Sequence, residues 1–340
     1  MTIAHQMPDT EDRLTVQVLV DQRALRRALL DEVRRGLLSS PRELSPRWLY
    51  DERGSQLFEA ITRLPEYYPT RREREILTRH AADIANASGA DTLIELGSGS
   101  SEKTRLLLGA MRACGSLRRY VPFDVSESML VPTARALAEE YEGLRVHAVV
   151  GDFGHHLGAL PRGGRRMIAF LGGTVGNLKP AERAAFYREL SAGMGPEDCF
   201  LLGTDLLKDR ARLHAAYNDA AGITAEFNLN VLEVINRELG ANFDRDGFRH
   251  LARFDEGNRW IEMLLLSERR QEVFVRTLDL TVTFERGEAL RTEVSSKFTP
   301  DDVARELRAA GLVPERRWTD RAGDFAVTLA RRADATDADA

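Results

Sequence analysis

Short apolar stretches between Thr92 and Thr204 end on residues that can do chemistry. The first runs into Glu95-Leu96-Gly97-Ser98-Gly99-Ser100-Ser101-Glu102-Lys103, a glycine loop that opens a helical stretch. Glycines at such a turn accept positive φ and let a ligand approach the backbone closely. A full dinucleotide fingerprint needs a third glycine where this chain has Glu102, so pyrophosphate packing is not supported. An acid just before the glycines, Glu95, suits a cationic ligand bearing an amino acid better than a pyrophosphate.

The next two stretches end on Asp124 and on Asp152-Phe153. A carboxylate at the first place can accept both hydroxyls of a ribose. At the second, a carboxylate can take an adenine amino group while a phenyl ring lies against the base. A fourth stretch leads through Phe170-Leu171-Gly172-Gly173-Thr174-Val175-Gly176 to Asn177, where clustered glycines favour close approach of a ligand. Taken singly, these features read as readily as turns, a capping Asn or solvated strand ends. Their common register at successive strand ends points to an adenosine-bearing ligand.

The elements that must position these residues follow from periodicity. Apolar runs at Thr92 to Leu96, Arg119 to Asp124, Arg145 to Val150, Met167 to Leu171 and Cys199 to Thr204 read as strands. Between them Lys103 to Cys114, Glu127 to Tyr141 and Pro180 to Ala192 read as helices, so βαβ units of a doubly wound parallel sheet are expected. A helix from Thr299 to Ala310, stopped by Gly311, and strands Glu315 to Thr319 and Phe325 to Ala330 complete seven strands. The expected cofactor domain is thus 71–205 with 298–332.

The rest breaks this grammar. Leu14 to Tyr68 reads as mostly helical, and the section after the fifth strand carries a helical region, Arg210 to Leu239, then extended runs Trp260 to Arg269 and Glu272 to Phe284. We assign 14–70 and 206–297 to a second, substrate-binding domain over the carboxyl edge of the sheet, where ligands of open α/β sheets bind. The ends, 1–13 and 333–340, carry no apolar period and read as flexible tails.

Composition excludes several classes. The 340 residues are 43% hydrophobic and 30% charged, which fits a folded globular chain, and the net charge of −5 disfavours nucleic acid. No apolar run is long enough for a membrane span, so a cytoplasmic location is expected. Cys114 and Cys199 lack C-x-x-C spacing and read as buried thiols. None of the seven histidines, His155 and His156 included, has metal-ligand spacing, so no metal is expected.

With these residues in view, the chain resembles the actinobacterial L-histidine Nα-methyltransferases of ergothioneine biosynthesis, from about Leu25 to Arg331. The likeness lies in Trp48-Leu49-Tyr50-Asp51 with Gly54-Ser55, in Leu64-Pro65-Glu66-Tyr67-Tyr68-Pro69-Thr70, in the two glycine loops, and in Thr292-Glu293-Val294-Ser295-Ser296-Lys297-Phe298. It implies a class I, Rossmann-like methyltransferase fold and S-adenosylmethionine as methyl donor, contacted by Gly97, Lys103, Asp124, Asp152 and Phe153. It implies further that Tyr67, Asn177, Tyr217, Glu293 and Ser295 hold the substrate, with Met263 lining the pocket. Tyr50 and Asn177 are the residues it places nearest the reaction.

Those assignments make physical sense. Glu293 and Ser295 lie two apart in an extended segment, hence on one face, and together can read both nitrogens of an imidazole. The expected reaction is direct transfer of three methyl groups to the α-amine of free L-histidine, giving hercynine, by a monomer that also takes the mono- and dimethylated forms. Water or Tyr50 is the expected proton acceptor. The alternatives are a methyltransferase for tryptophan or tyrosine, an adenosine-ligand binding protein without catalysis, and an NAD-dependent oxidoreductase.

Overall fold

The computed structural model describes residues 13–99 and 101–333. Ser100 and, apart from Arg13 and Ala333, the expected tails lie outside the described residues. The strands are β1 (Leu14–Val18), β2 (Arg42–Glu43), β3 (Thr92–Leu96), β4 (Arg119–Asp124), β5 (Arg145–Val150), β6 (Arg166–Phe170), β7 (Cys199–Asp205), β8 (Phe248–Asp255), β9 (Trp260–Ser267), β10 (Gln271–Val275), β11 (Leu280–Phe284), β12 (Ala289–Ser296), β13 (Leu312–Thr319) and β14 (Phe325–Arg332).

The main sheet runs β1-β5-β4-β3-β6-β7-β14-β13, parallel except for β14. Strands β3, β6 and β7 are buried along their whole length because helices cover both faces, which is why they read as continuous apolar runs. All seven expected strands are present. An eighth, β1, extends the edge by pairing with β5, so residues 14–18 belong to this sheet and not to the second unit. One face packs on Ile76, Leu77, Leu107 and Leu137, the other on Phe186, Leu190, Val303 and Leu307.

A separate hydrophobic cluster gathers residues far apart in sequence, among them Leu29, Leu37, Tyr67, Phe227, Ile235, Leu265 and Leu290. It packs around a four-stranded sheet ordered β2-β12-β9-β8. Two details differ from the expected pattern. The helical region Arg210 to Leu239 is two helices, Arg210–Tyr217 and Ile223–Leu239, because Gly222 takes φ +72° and the Asp219 carboxylate accepts from Ile223 N and Thr224 N at 2.9 and 2.8 Å, capping a new start. The run Glu272 to Phe284 folds back at Asp279 (φ +45°) into the antiparallel pair β10-β11.

Cysteine burial departs from expectation at one position. Cys199 is buried within β7, whereas Cys114, at the end of helix Thr104–Ala113, is exposed.

Candidate active site

The carboxyl ends of β3, β4 and β5 carry the first group of candidates. Gly97 and Gly99 take φ +69° and +49°, and a Cβ on either would meet nothing within 4 Å, so the loop borders open space. Asp124, at the end of β4, accepts from Gly99 N and Ser126 N at 3.0 Å each, one bond per carboxylate oxygen. Each oxygen keeps a lone pair, enough for two ribose hydroxyls. Burial raises the pKa of this carboxyl from its ordinary value, against the lowering effect of the backbone N–H groups bonded to it.

Asp152 follows β5 and accepts from Gly154 N at 2.8 Å through Oδ1, while Oδ2 pairs with Arg47 Nη1 at 2.8 Å. The half-buried Phe153 ring packs edge-on against Phe170, centroids 5.0 Å apart. Glu95 behaves differently from expectation. Its buried carboxyl is bonded to Thr104 Oγ1 and to Tyr120 OH, the latter at 2.6 Å, so it serves the fold and not a ligand. Open space, two acceptor carboxylates and a ring make a site that fits an adenosine.

A second group surrounds a cavity lined by residues from both units: Tyr50, Phe58, Tyr67, Pro69, Gly172, Gly173, Thr174, Asn177, Asp205, Tyr217, Glu293 and Ser295. Tyr50 is delivered by a short 3-10 turn, Pro46–Leu49, against which the next helix, Glu52–Thr62, packs very closely. Gly54 permits this, since a Cβ there would lie 1.7 Å from Leu49 O. Asn177 ends the 3-10 turn Thr174–Asn177, held against β12 through Gly176, whose Cβ would come within 3.1 Å of Ser296 O.

The register of β12 shifts between Arg291 and Glu293, a bulge that re-aims the strand before its functional end. Glu293, Ser295 and, just beyond the strand, Lys297 then fall on one face. Ser295 Oγ and Tyr217 OH lie 2.8 Å apart, and Lys297 Nζ donates to both, at 2.8 and 2.9 Å. Lys297 is fully buried and also pairs with Asp205 Oδ2 at 2.9 Å. Asp205 accepts in addition from Tyr68 OH at 2.8 Å and from Lys208.

Burial sets the proton states. Glu293 is pushed up to about 7 by burial, against the lowering effects of Lys297 and of the Asn177 amide bonded to it. Tyr50, Tyr67 and Tyr217 have pKa values well above the ordinary phenol value, first from burial and then from neighbouring acids. Tyr50 therefore keeps its proton at neutral pH, which removes it as the expected proton acceptor.

The structure does not bring every sequence candidate to the cavity. Met263, in β9, is buried directly opposite Glu293 across the strand pair and so lies beside it on the same face of the sheet. Lys103 is paired with the buried Glu73, whose other oxygen accepts from Gly172 N at 2.7 Å, so it reaches the second glycine loop. Sequence reading missed Arg47, Glu73, Asp205, Lys208 and Lys297. Lys297 had a usable signal, the i+2 spacing from Ser295.

Residues 29–332 match the histidine-specific, S-adenosylmethionine-dependent methyltransferases. The chain belongs to that family. It is 57% identical to the histidine N-alpha-methyltransferase of Mycobacterium tuberculosis over 305 residues, covering 90% of this chain and 95% of that protein. The Mycolicibacterium smegmatis protein of the same name is 54% identical over the same shares. Ergothioneine biosynthesis protein 1 of Neurospora crassa is 35% identical over 82% of this chain and 32% of that longer protein. The chain is therefore a methyltransferase, and its sheet is the Rossmann-like one of this class. Among the described residues, no helix is long and apolar enough to cross a membrane, and no group of three or more His, Cys, Asp or Glu could hold a metal ion.

Proposed function

We propose that this methyltransferase transfers three methyl groups in succession from S-adenosylmethionine to the α-amino nitrogen of free L-histidine, yielding hercynine for ergothioneine biosynthesis. The observation that carries the reading is the convergence of Glu293, Ser295, Tyr217 and Asn177 on one cavity bordered by Gly172 and Gly173 of the second glycine loop. Family membership and the 57% identical relative support it.

Bound S-adenosylmethionine supplies an electrophilic methyl group on a sulfonium. Asp124 accepts the ribose hydroxyls, Asp152 the adenine amine, and Phe153 packs on the base, with Gly97 and Lys103 completing that side. Tyr217 and Asn177 donate to the substrate carboxylate, Glu293 and Ser295 hold the ring, and Tyr67 closes the wall. These contacts fix the α-nitrogen in line for displacement, which is most of what such a transfer requires.

The amine must be neutral to react. Its desolvation among Tyr50, Phe58 and Tyr67 favours loss of the proton to solvent, and the Tyr50 hydroxyl orients the nitrogen. The same reading makes the protein a cytoplasmic monomer with no metal, nucleic acid or membrane partner.

Calorimetric titration tests the assignment of both subsites. S-adenosylhomocysteine should bind, NAD should not, and histidine should bind the S-adenosylhomocysteine-loaded protein. NAD binding, or indifference to histidine, contradicts the reading.

A further inference from the structure

Glu293 is a buried acid without a cation. Among the described residues it enters no ion pair within 4.0 Å, and no Lys, Arg or His lines the cavity. Lys297 is near enough to draw the Glu293 pKa down, but its three N–H groups face three other oxygens, Asp205 Oδ2, Tyr217 OH and Ser295 Oγ, all within 2.9 Å. Around the cavity the remaining titratable groups are Tyr50 and Tyr67 from the amino-terminal segment, Tyr217 from its helix, Asp205 at the end of β7, which Lys208 and Lys297 share, and the mutually paired Glu73 and Lys103 behind Gly172. An isolated buried carboxylate is costly, and the missing partner must come from the ligand.

The hydroxyl pair gives the same answer from hydrogen-bond polarity. Tyr217 OH and Ser295 Oγ lie 2.8 Å apart, so one donates to the other. If Tyr217 directs its proton to the substrate carboxylate, as the proposed function places it, the shared hydrogen runs from Ser295 to Tyr217. Ser295 then accepts from Lys297 and turns its second lone pair toward the cavity. Glu293 and Ser295 are thus both acceptors, and a ring that satisfies both carries two N–H groups.

We infer that the site binds the substrate ring as the imidazolium, with Glu293 as its counter-ion and Lys297 as the positioning residue that makes Ser295 an acceptor. The inference rests on histidine being the substrate. The imidazolium then pairs with Glu293 and the substrate carboxylate with the sulfonium, while Asp205 is shared by Lys297 and Lys208, the latter also attracted by Asp324, and the reacting amine is neutral. The ring nitrogens of free histidine titrate near pH ~6.5, so the bound ring holds its proton to higher pH than the free one. Selection is for a basic heteroaromatic ring, not merely for a ring of imidazole size.

The direct test is nitrogen NMR of ring-15N-labelled histidine in complex with the protein and S-adenosylhomocysteine at pH 7.5. Two protonated-type ring resonances are expected; one pyridine-type resonance overturns the inference. Absence of any bound signal overturns the histidine reading itself, and this inference with it. Kinetics give a second route through 2-fluorohistidine, nearly isosteric but too weakly basic to protonate near neutrality. The intact protein should favour histidine over it by about 30-fold or more in kcat/KM, and Glu293→Gln should shrink that preference to about threefold, because a neutral amide no longer rewards charge. An unchanged preference in the variant overturns the counter-ion role.

Discussion

Arg47 Nη1 lies 2.8 Å from Asp152 Oδ2, tying the turn that carries Tyr50 to the end of β5. The rest of the guanidinium is less well satisfied. Nη2 is 2.9 Å from Glu32 Oε1 but out of hydrogen-bond line, and Nε has no partner. Tyr50 N donates back to Arg47 O at 3.4 Å, so the adenine subsite and the substrate cavity share one short turn. Arg47→Met should weaken S-adenosylhomocysteine binding by about tenfold through loss of a charge-assisted bond on Asp152. It should also raise the KM for histidine, because Tyr50 loses its anchor. Calorimetry and steady-state kinetics on the same variant check both, and a change in neither would make the pair a surface contact.

Asp124→Ala should weaken S-adenosylhomocysteine binding by about 2–4 kcal/mol, since two ribose hydroxyls and the Gly99 and Ser126 amides lose their acceptor. A folded variant with unchanged affinity would place the ribose elsewhere.

Glu95 gives the fold a pH dependence. Burial pushes its carboxyl up to about 7, against the lowering bonds from Thr104 and Tyr120. An unfolded glutamate titrates near ~4.3, so between that pH and about 7 the folded chain binds more protons than the unfolded one. The Glu95 contribution is present below the unfolded value and is lost as pH rises through the folded one. Glu95→Gln should therefore be stabilised relative to the parent by about 1–3 kcal/mol more at pH 8 than at pH 4.5. Denaturant unfolding at the two pH values measures this difference, which cancels any constant cost of the substitution. Parallel pH profiles would contradict it.

The parallel strands β3 to β7 were legible because burial on both faces leaves continuous apolar runs, each broken by glycine or an acid where the chain turns over the edge. Strand β1 was not. Leu14-Thr15-Val16-Gln17-Val18 pairs on one side only, with Val16 and Val18 exposed, and precedes a helix without forming a βαβ unit with it. Site residues on strand ends could be read, whereas buried ion pairs between distant segments could not, because only the tertiary fold joins Asp205 to Lys297 or Glu73 to Lys103. Glu73 did carry a signal: it stands three residues before Ile76 and four before Leu77, on the buried stripe of its helix.

Glu293→Ala should raise the KM for histidine by roughly 30- to 150-fold, about 2–3 kcal/mol, while leaving S-adenosylhomocysteine affinity nearly intact. The enlarged, uncharged pocket should raise the relative activity on tryptophan. Steady-state kinetics on both amino acids decide the point: equal proportional losses would make Glu293 a structural residue.

Mass spectrometry of an incubation with S-adenosylmethionine and an equimolar mixture of the twenty amino acids tests the central claim most directly. Histidine should gain up to three methyl groups, all on the α-nitrogen, while the other amino acids stay essentially unmodified. Preferential methylation of another amino acid, or methyl groups located on the imidazole by fragmentation, would contradict it.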